Sequence, residues 1–152
     1  MTTATRHLPK VARYTLGAAF TLFGLNGFFQ FLPAPPPAPA EAMSFLGALL
    51  ASGYMFPLIK GTEVVAGLLL LGNRFVPLAL ALLAPIVVNI VAYHAFLAPA
   101  GMVLPLLLLA AELYAAWAYR AAFAPMLRAR VEPAEPAGEH AGLSQGRLHP
   151  AR

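Results

Sequence analysis

Four apolar stretches, joined by connections too short to hold a domain of their own, decide what this chain can fold into. They run from Val11 to Leu32, Tyr54 to Gly72, Phe75 to Leu97 and Met102 to Phe123. Crossing a bilayer takes roughly 20 residues of helix, and each stretch meets that length. Of the 152 residues, 60% are hydrophobic and 11% charged, where a soluble domain carries about 45–50% and about 25%. The expected fold is therefore an all-α integral membrane protein: a four-transmembrane-helix bundle over residues 11–127. Residues 1–10 are expected to form a cytoplasmic N-terminal segment, and residues 128–152 a disordered cytoplasmic tail, mostly of Ala, Pro, Gly, Glu, His and Arg, with almost nothing to bury. His140 and His149 belong to that tail and are assigned no chemistry.

The basic residues set the orientation. Arg6, Lys10 and Arg13 precede the first span, Arg74 joins the second to the third, and Arg120, Arg128, Arg130, Arg147 and Arg152 lie at or beyond the end of the fourth. All basic residues except Lys60 thus fall on one side, which places both termini in the cytoplasm of a bacterium and the protein in its inner membrane. The net charge of +4 follows from this bias, so the expected partner is the lipid bilayer and no nucleic acid is implied. A basic start, an apolar segment and Ala38-Pro39-Ala40 also resemble a cleaved signal peptide. The apolar segment is longer than the usual 7–15 residues of such a core and carries Asn26 and Gln30, so a retained span is expected.

Pro33 to Pro39 reads as a stiff polyproline II tether. Residues 41–52 follow, with Ala42, Phe45, Leu46, Leu49 and Leu50 at helical spacing and Gly53 placed to cap the end. This short outer-face helix between spans one and two is either a plain connector or a lid over an outward-facing pocket. Pro57, Pro77 and Pro105 fall in first turns, where the missing N–H costs little. Pro85 is mid-span, where it deprives the Ala81 carbonyl of its donor and is expected to kink the helix.

Polar groups inside hydrocarbon are costly and need a partner or a purpose. At about 1.5 Å per residue, Asn26, Gln30, Lys60, Asn89 and His94 fall in the outer half of their spans, and Glu63 and Glu112 near the centre. Lys60 and Glu63 are spaced i, i+3 and share a helix face, as do Asn26 and Gln30 at i, i+4. Asn89 follows the Pro85 kink by a turn and could serve the freed backbone. Glu112 has no cation at i±3 or i±4, so its expected partner is Lys60 across the bundle. Two glutamates and one lysine would then share a site, with one glutamate protonated at neutral pH. Two readings stand open for these seven residues. They form a buried polar knot that fixes helix register, or they line an outward-facing cavity for a small polar or amphipathic molecule, in which Glu63, Glu112 and His94 exchange protons and Lys60 holds an oxygen.

The chain has no cysteine, which excludes disulfides, thiol chemistry and iron–sulfur clusters. One span histidine and two glutamates have no zinc-site spacing, and no haem ligation is expected. Gly17, Gly24, Gly27, Gly61 and Gly67 are candidates for close helix contact. Tyr14, Phe28, Phe29, Phe31, Tyr54, Phe56, Tyr93, Phe96, Trp117, Tyr119 and Phe123 crowd the expected interfaces as an aromatic belt.

Gly24-Leu25-Asn26-Gly27-Phe28, a loop helix ending Gly53-Tyr54, and Lys60-Gly61-Thr62-Glu63 running into Val64–Gly72 resemble the DoxX family of small bacterial membrane proteins. So do Pro85–Ile90 with Tyr93-His94-Ala95-Phe96, and Glu112-Leu113-Tyr114 with Trp117–Arg120. The resemblance covers about residues 10–127. It implies a four-helix membrane bundle. It also implies an accessory subunit of a membrane complex linked to quinone-dependent redox chemistry, with other membrane subunits or further copies of the chain as partners. The alternative is a stand-alone binder, transporter or oxidoreductase-type protein whose polar pocket holds a quinone-like ligand. A thiol-exchange role proposed for some relatives is at odds with the absence of cysteine.

Overall fold

The computed structural model describes residues 3–33 and 37–130, and the described residues form helices and no strand. The reading of residues 34–36 as part of a polyproline tether, and of the tail beyond residue 130, lies outside them. Four long helices make the body: α1 (Thr3–Phe29), α3 (Met55–Leu71), α4 (Val76–Phe96) and α5 (Val103–Ala118). Between the first two lies α2 (Ala40–Ala51), and α5 is followed by the short α6 (Arg120–Phe123). Among the described residues, α4 alone is long and apolar enough by itself to cross a membrane. The pairs α2 with α3 and α5 with α6 reach that measure only when each is counted as one segment, bent by 89° and 73°.

The helices form a ring in which α1 touches α3, α3 touches α4, α4 touches α5 and α5 returns to α1. Helices α3 and α5 are thereby diagonal. The core is the inward stripe of each helix: Leu16 and Phe20, Ala66 and Leu70, Leu80, Leu83 and Val87, Leu108 and Ala115. The outward stripe is equally apolar. Leu58, Val65, Leu68, Leu78, Val88, Leu106, Leu107 and Leu113 are all exposed, which in water would be a large uncovered apolar surface. A helix hydrophobic all round belongs in a lipid or protein interior.

Helices α1 and α3 run antiparallel with their backbones nearly touching. A Cβ at Gly67 would lie 2.6 Å from the Thr21 nitrogen and 2.9 Å from the Gly17 oxygen, and one at Gly24 would lie 3.0 Å from the Lys60 oxygen. Gly17, Gly24, Gly27 and Gly67 therefore have the contact role expected of them. Gly61 does not, because nothing lies within 4 Å of a Cβ placed there; it sits on the open side of α3.

Local chemistry sets the helix ends. Helix α3 closes in a Schellman arrangement, with Asn73 N–H on the Leu70 oxygen and Arg74 N–H on the Leu69 oxygen and Asn73 in the left-handed region at φ 53°. Gly53, at φ 75°, ends α2 as anticipated. The first helix stops at Phe29 rather than Leu32, because the Asn26 side-chain oxygen accepts the Leu32 N–H at 2.7 Å and the chain turns at Gln30 (φ 49°). The expected fourth span breaks after Ala118. Arg120 donates to the Trp117 carbonyl at 3.0 Å beside the break, and α6 turns away. Pro85 lies inside α4, which continues on both sides of it.

Arg13, read from sequence as a flanking positive charge, turns inward. It is buried, donates to the Leu70 carbonyl and, at 3.4 Å, to that of Leu71. Its guanidinium lies 4.2 Å from the Tyr14 ring centroid. Both carbonyls belong to the C-terminal turn of α3, where a cation is favoured by the helix dipole, and the Leu70 oxygen accepts from Arg13 in addition to Asn73 N–H. Arg13→Met is expected to lower stability by about 1.5–3 kcal/mol, the worth of hydrogen bonds from a charged group, with Arg13→Lys recovering part of it in a thermal unfolding series.

Candidate functional site

Two cavities open between the helices at the end of the bundle where α2 lies. The larger, about 530 Å³, is lined by α1 residues Phe20, Phe23, Asn26 and Gly27, by Gln30, and by Gly101, Leu104, Pro105 and Leu108 on the far side. The smaller, about 360 Å³, lies under α2, whose Phe45, Leu46 and Leu49 form one wall against Met55, Ile59, Pro85, Ile86, Asn89 and Tyr93. Phe56, Lys60, Glu63, Ile90 and His94 line both. They are the partition between a polar-ended chamber and an apolar one.

At the centre of the partition is an ion pair. Lys60 Nζ donates to both carboxylate oxygens of Glu63, at 3.0 and 2.9 Å, as the i, i+3 spacing anticipates. The Glu63 side chain is 3% exposed and that of Lys60 21%, so the carboxylate is sealed and the ammonium reaches the cavities. The lysine stem lies across Gly27, where a Cβ would come within 2.5 Å of Lys60 Cγ. Lys60 Nζ stands 5.8 Å from the Phe56 ring centroid. An ammonium has three N–H donors; Glu63 takes two directions and one remains for a ligand.

His94 contributes the complementary group. Its Nδ1 is 2.8 Å from the Ile90 carbonyl oxygen. A carbonyl only accepts, so Nδ1 carries the proton and Nε2 is the free acceptor of the neutral ring. Gly101 makes room for the ring, since a Cβ there would lie 3.1 Å from Nε2. Tyr93 packs edge-on against His94 at 5.0 Å, and Phe45 of α2 rests on Tyr93 at 5.9 Å. Through these rings α2 touches the site, so it is a wall of the smaller cavity and more than a connector.

The structure gathers six of the seven sequence candidates. Asn26, Gln30, Lys60, Glu63 and His94 line the larger cavity, and Asn89 joins Lys60, Glu63 and His94 in the smaller. Asn89 makes no hydrogen bond to the Ala81 carbonyl among the described residues, so it does not repair the backbone opened by Pro85. Glu112 is the departure. The expectation that it pairs with Lys60 across the bundle is wrong. Helix α5 is diagonal to α3, and Lys60 is already held by a carboxylate on its own helix. Glu112 instead faces a separate cleft between α4 and α5, and neither of its oxygens has a hydrogen-bond partner. Sequence reasoning missed Phe56, Ile90 and Gly101. The first two carry no chemical signal of their own, and Gly101 looks like an ordinary turn glycine.

Among the described residues no three His, Asp or Glu side chains converge as a metal site. No family model, curated protein or solved structure matches the chain.

Proposed function

We propose that this chain is a four-span protein of the bacterial inner membrane, with both termini cytoplasmic, that binds a small neutral amphipathic molecule of quinone-like chemistry in its outward-facing cavities. The observation that carries the reading is the shared wall: one ion pair and one histidine standing between a polar-ended chamber and an apolar one. Lys60 and Glu63 cancel in charge, which favours a neutral headgroup over an anion. The pair leaves one N–H donor on Lys60, and His94 offers one acceptor at Nε2. A carbonyl or hydroxyl headgroup uses both, with the carboxamides of Asn26 and Gln30 able to donate or accept beside it. The apolar remainder of the molecule has the chamber under α2 for its tail, a size suited to small-molecule binding. The basic residues around the inner ends and the apolar outer stripes support the spanning reading. The likeness of the Lys60–Glu63 and Asn89–His94 segments to the DoxX family supports the ligand class. The accessory-subunit reading draws on that likeness alone, whereas the cavities speak for a binder.

Purification from native membranes in mild detergent, with mass spectrometry of proteins and extracted lipids, tests this. The expected result is a protein retained in membranes through alkaline extraction and enriched in a quinone or a similar neutral amphiphile, with the enrichment lost in Lys60→Met. Extraction from the membrane at alkaline pH overturns the spanning reading. A stoichiometric protein partner with no enriched small molecule overturns the binder in favour of the subunit.

A further inference from the structure

Glu112 is the buried ionisable group that the two cavities leave unexplained. It is 5% exposed, and both carboxylate oxygens lack a hydrogen-bond partner. It faces a cleft of about 170 Å³ between α4 and α5. Helix α4 contributes Leu80, Ala81, Ala84 and Val88 to that cleft, α5 contributes Leu113, and α6 contributes Phe123; no other ionisable side chain lines it. Four basic groups of the surrounding elements are engaged elsewhere. Lys60 of α3 is on Glu63, Arg13 of α1 is on the Leu70 carbonyl, and Arg120 of α6 is on the Trp117 carbonyl and ring. His94 of α4 is bonded to Ile90 at the far cavity.

A carbonyl without its usual i+4 donor belongs to a residue on the same wall. Pro85 has no N–H to give the Ala81 carbonyl four residues before it, and Ala81 lines the cleft. The cleft thus holds a carboxyl able to carry a full negative charge, with a backbone carbonyl on the facing helix, in an otherwise hydrocarbon setting. Val88 and Leu113, each 61% exposed, stand at its mouth on the outer apolar surface. A buried polar group in a native structure has a partner. Here that partner must bring several donors and a positive charge, and it must tolerate apolar walls.

We propose that the α4–α5 cleft is a second binding site, distinct from the polar cavities, that takes the ammonium end of a small lipophilic amine from the hydrocarbon in exchange for a proton. Without the amine, Glu112 carries a proton, because an isolated carboxylate in an apolar cleft is too costly to hold. On binding, the carboxyl gives up that proton to solvent, and the resulting carboxylate pairs with the ammonium. Two of the ammonium N–H groups meet the carboxylate and a third meets the Ala81 carbonyl. A cavity of about 150 Å³ accepts a benzene ring, so a cleft of about 170 Å³ takes one ring or a short branched alkyl group. The inference shares with the preceding section only that the bundle lies in a bilayer.

The test uses the full chain in phosphatidylcholine vesicles, with the apolar reagent dicyclohexylcarbodiimide, which attacks protonated carboxyls from the lipid phase. Peptide mapping should find Glu112 modified and the paired Glu63 spared. Benzylammonium should protect Glu112 at least several-fold and saturably, while benzyl alcohol at the same concentration, alike in shape and uncharged, should not. In weakly buffered solution a proton should appear for each cation bound. Glu112→Gln should abolish proton release, and Glu112→Asp, which keeps the charge, should retain it with weaker affinity. Equal protection by the alcohol, protection without proton release, or an unmodified Glu112 would each overturn the proposal. Lys60→Met combined with Glu63→Gln should leave benzylammonium protection intact, so failure of the amine site and failure of the quinone-like site are separate results.

Discussion

Lys60→Met should lower the stability of the bundle by about 3 kcal/mol, at the low end of the cost of breaking a buried ion pair from one side. Glu63 is the reason. Its side chain is 3% exposed, both oxygens are spent on Lys60, and among the described residues no other cation pairs with it. Without Lys60 the carboxylate must either stay charged and unpaired or bind a proton. Glu63→Gln should cost less, about 1–2 kcal/mol, since Lys60 is 21% exposed and its ammonium can turn to water in the larger cavity. Lys60→Met combined with Glu63→Gln should recover most of the loss, because replacing both charges of a buried pair is often close to neutral. Unfolding in mixed micelles gives the three values. The double variant also separates register from binding. If it regains stability and still fails to hold the headgroup, the pair is there for the ligand. If stability and binding return together, the pair serves helix packing and the ligand reading loses its centre. A single Lys60→Met variant as stable as the parent would show that the ammonium is not holding the carboxylate at all.

How much of this was legible beforehand differs between elements for physical reasons. The long helices were read to within a few residues at most ends, because apolar runs bounded by Gly, Asn and Pro leave little choice of start and stop. Helix α2 was legible from its i, i+3, i+4 stripe. Its role against Tyr93 was not, because which face meets which neighbour is a tertiary fact. The Lys60–Glu63 pair was legible because i, i+3 partners share a helix face in any packing. The Glu112 partner was not, because pairing across a bundle depends on which helices are neighbours, and the ring order puts α3 and α5 on a diagonal. Arg13 was misread for a related reason. Near the start of an apolar stretch a guanidinium normally snorkels to the headgroups, but here the C-terminal carbonyls of α3 lie beside it. The break at Tyr119 is not announced by composition or period, which run on through it.

Gly67→Leu should abolish the fold, and Gly67→Ala should destabilise it by about 1–3 kcal/mol through overpacking, while Gly61→Ala should stabilise it by about 0.5–1 kcal/mol through helix propensity. The same substitution on the same helix is thus expected to change sign within two turns. At Gly67 an added Cβ meets the Thr21 hydroxyl oxygen at 2.5 Å, the Thr21 nitrogen at 2.6 Å and the Gly17 oxygen at 2.9 Å. Two of these atoms are backbone and cannot rotate away, so α1 and α3 must separate. At Gly61 the added carbon meets nothing within 4 Å, and only the gain in helix preference remains. In a membrane, where close backbone approach supplies much of the attraction between helices, separating this pair is expensive over its whole length. It also reaches the site, because Lys60 lies across Gly27 on the same contact line. Gly67→Ala should therefore loosen headgroup binding although Gly67 lines neither cavity, and Gly61→Ala should leave it unchanged. Thermal unfolding of the two variants side by side, with ligand retention as the second readout, decides the matter. Equal effects at the two positions would mean that α1 and α3 do not meet along this glycine seam.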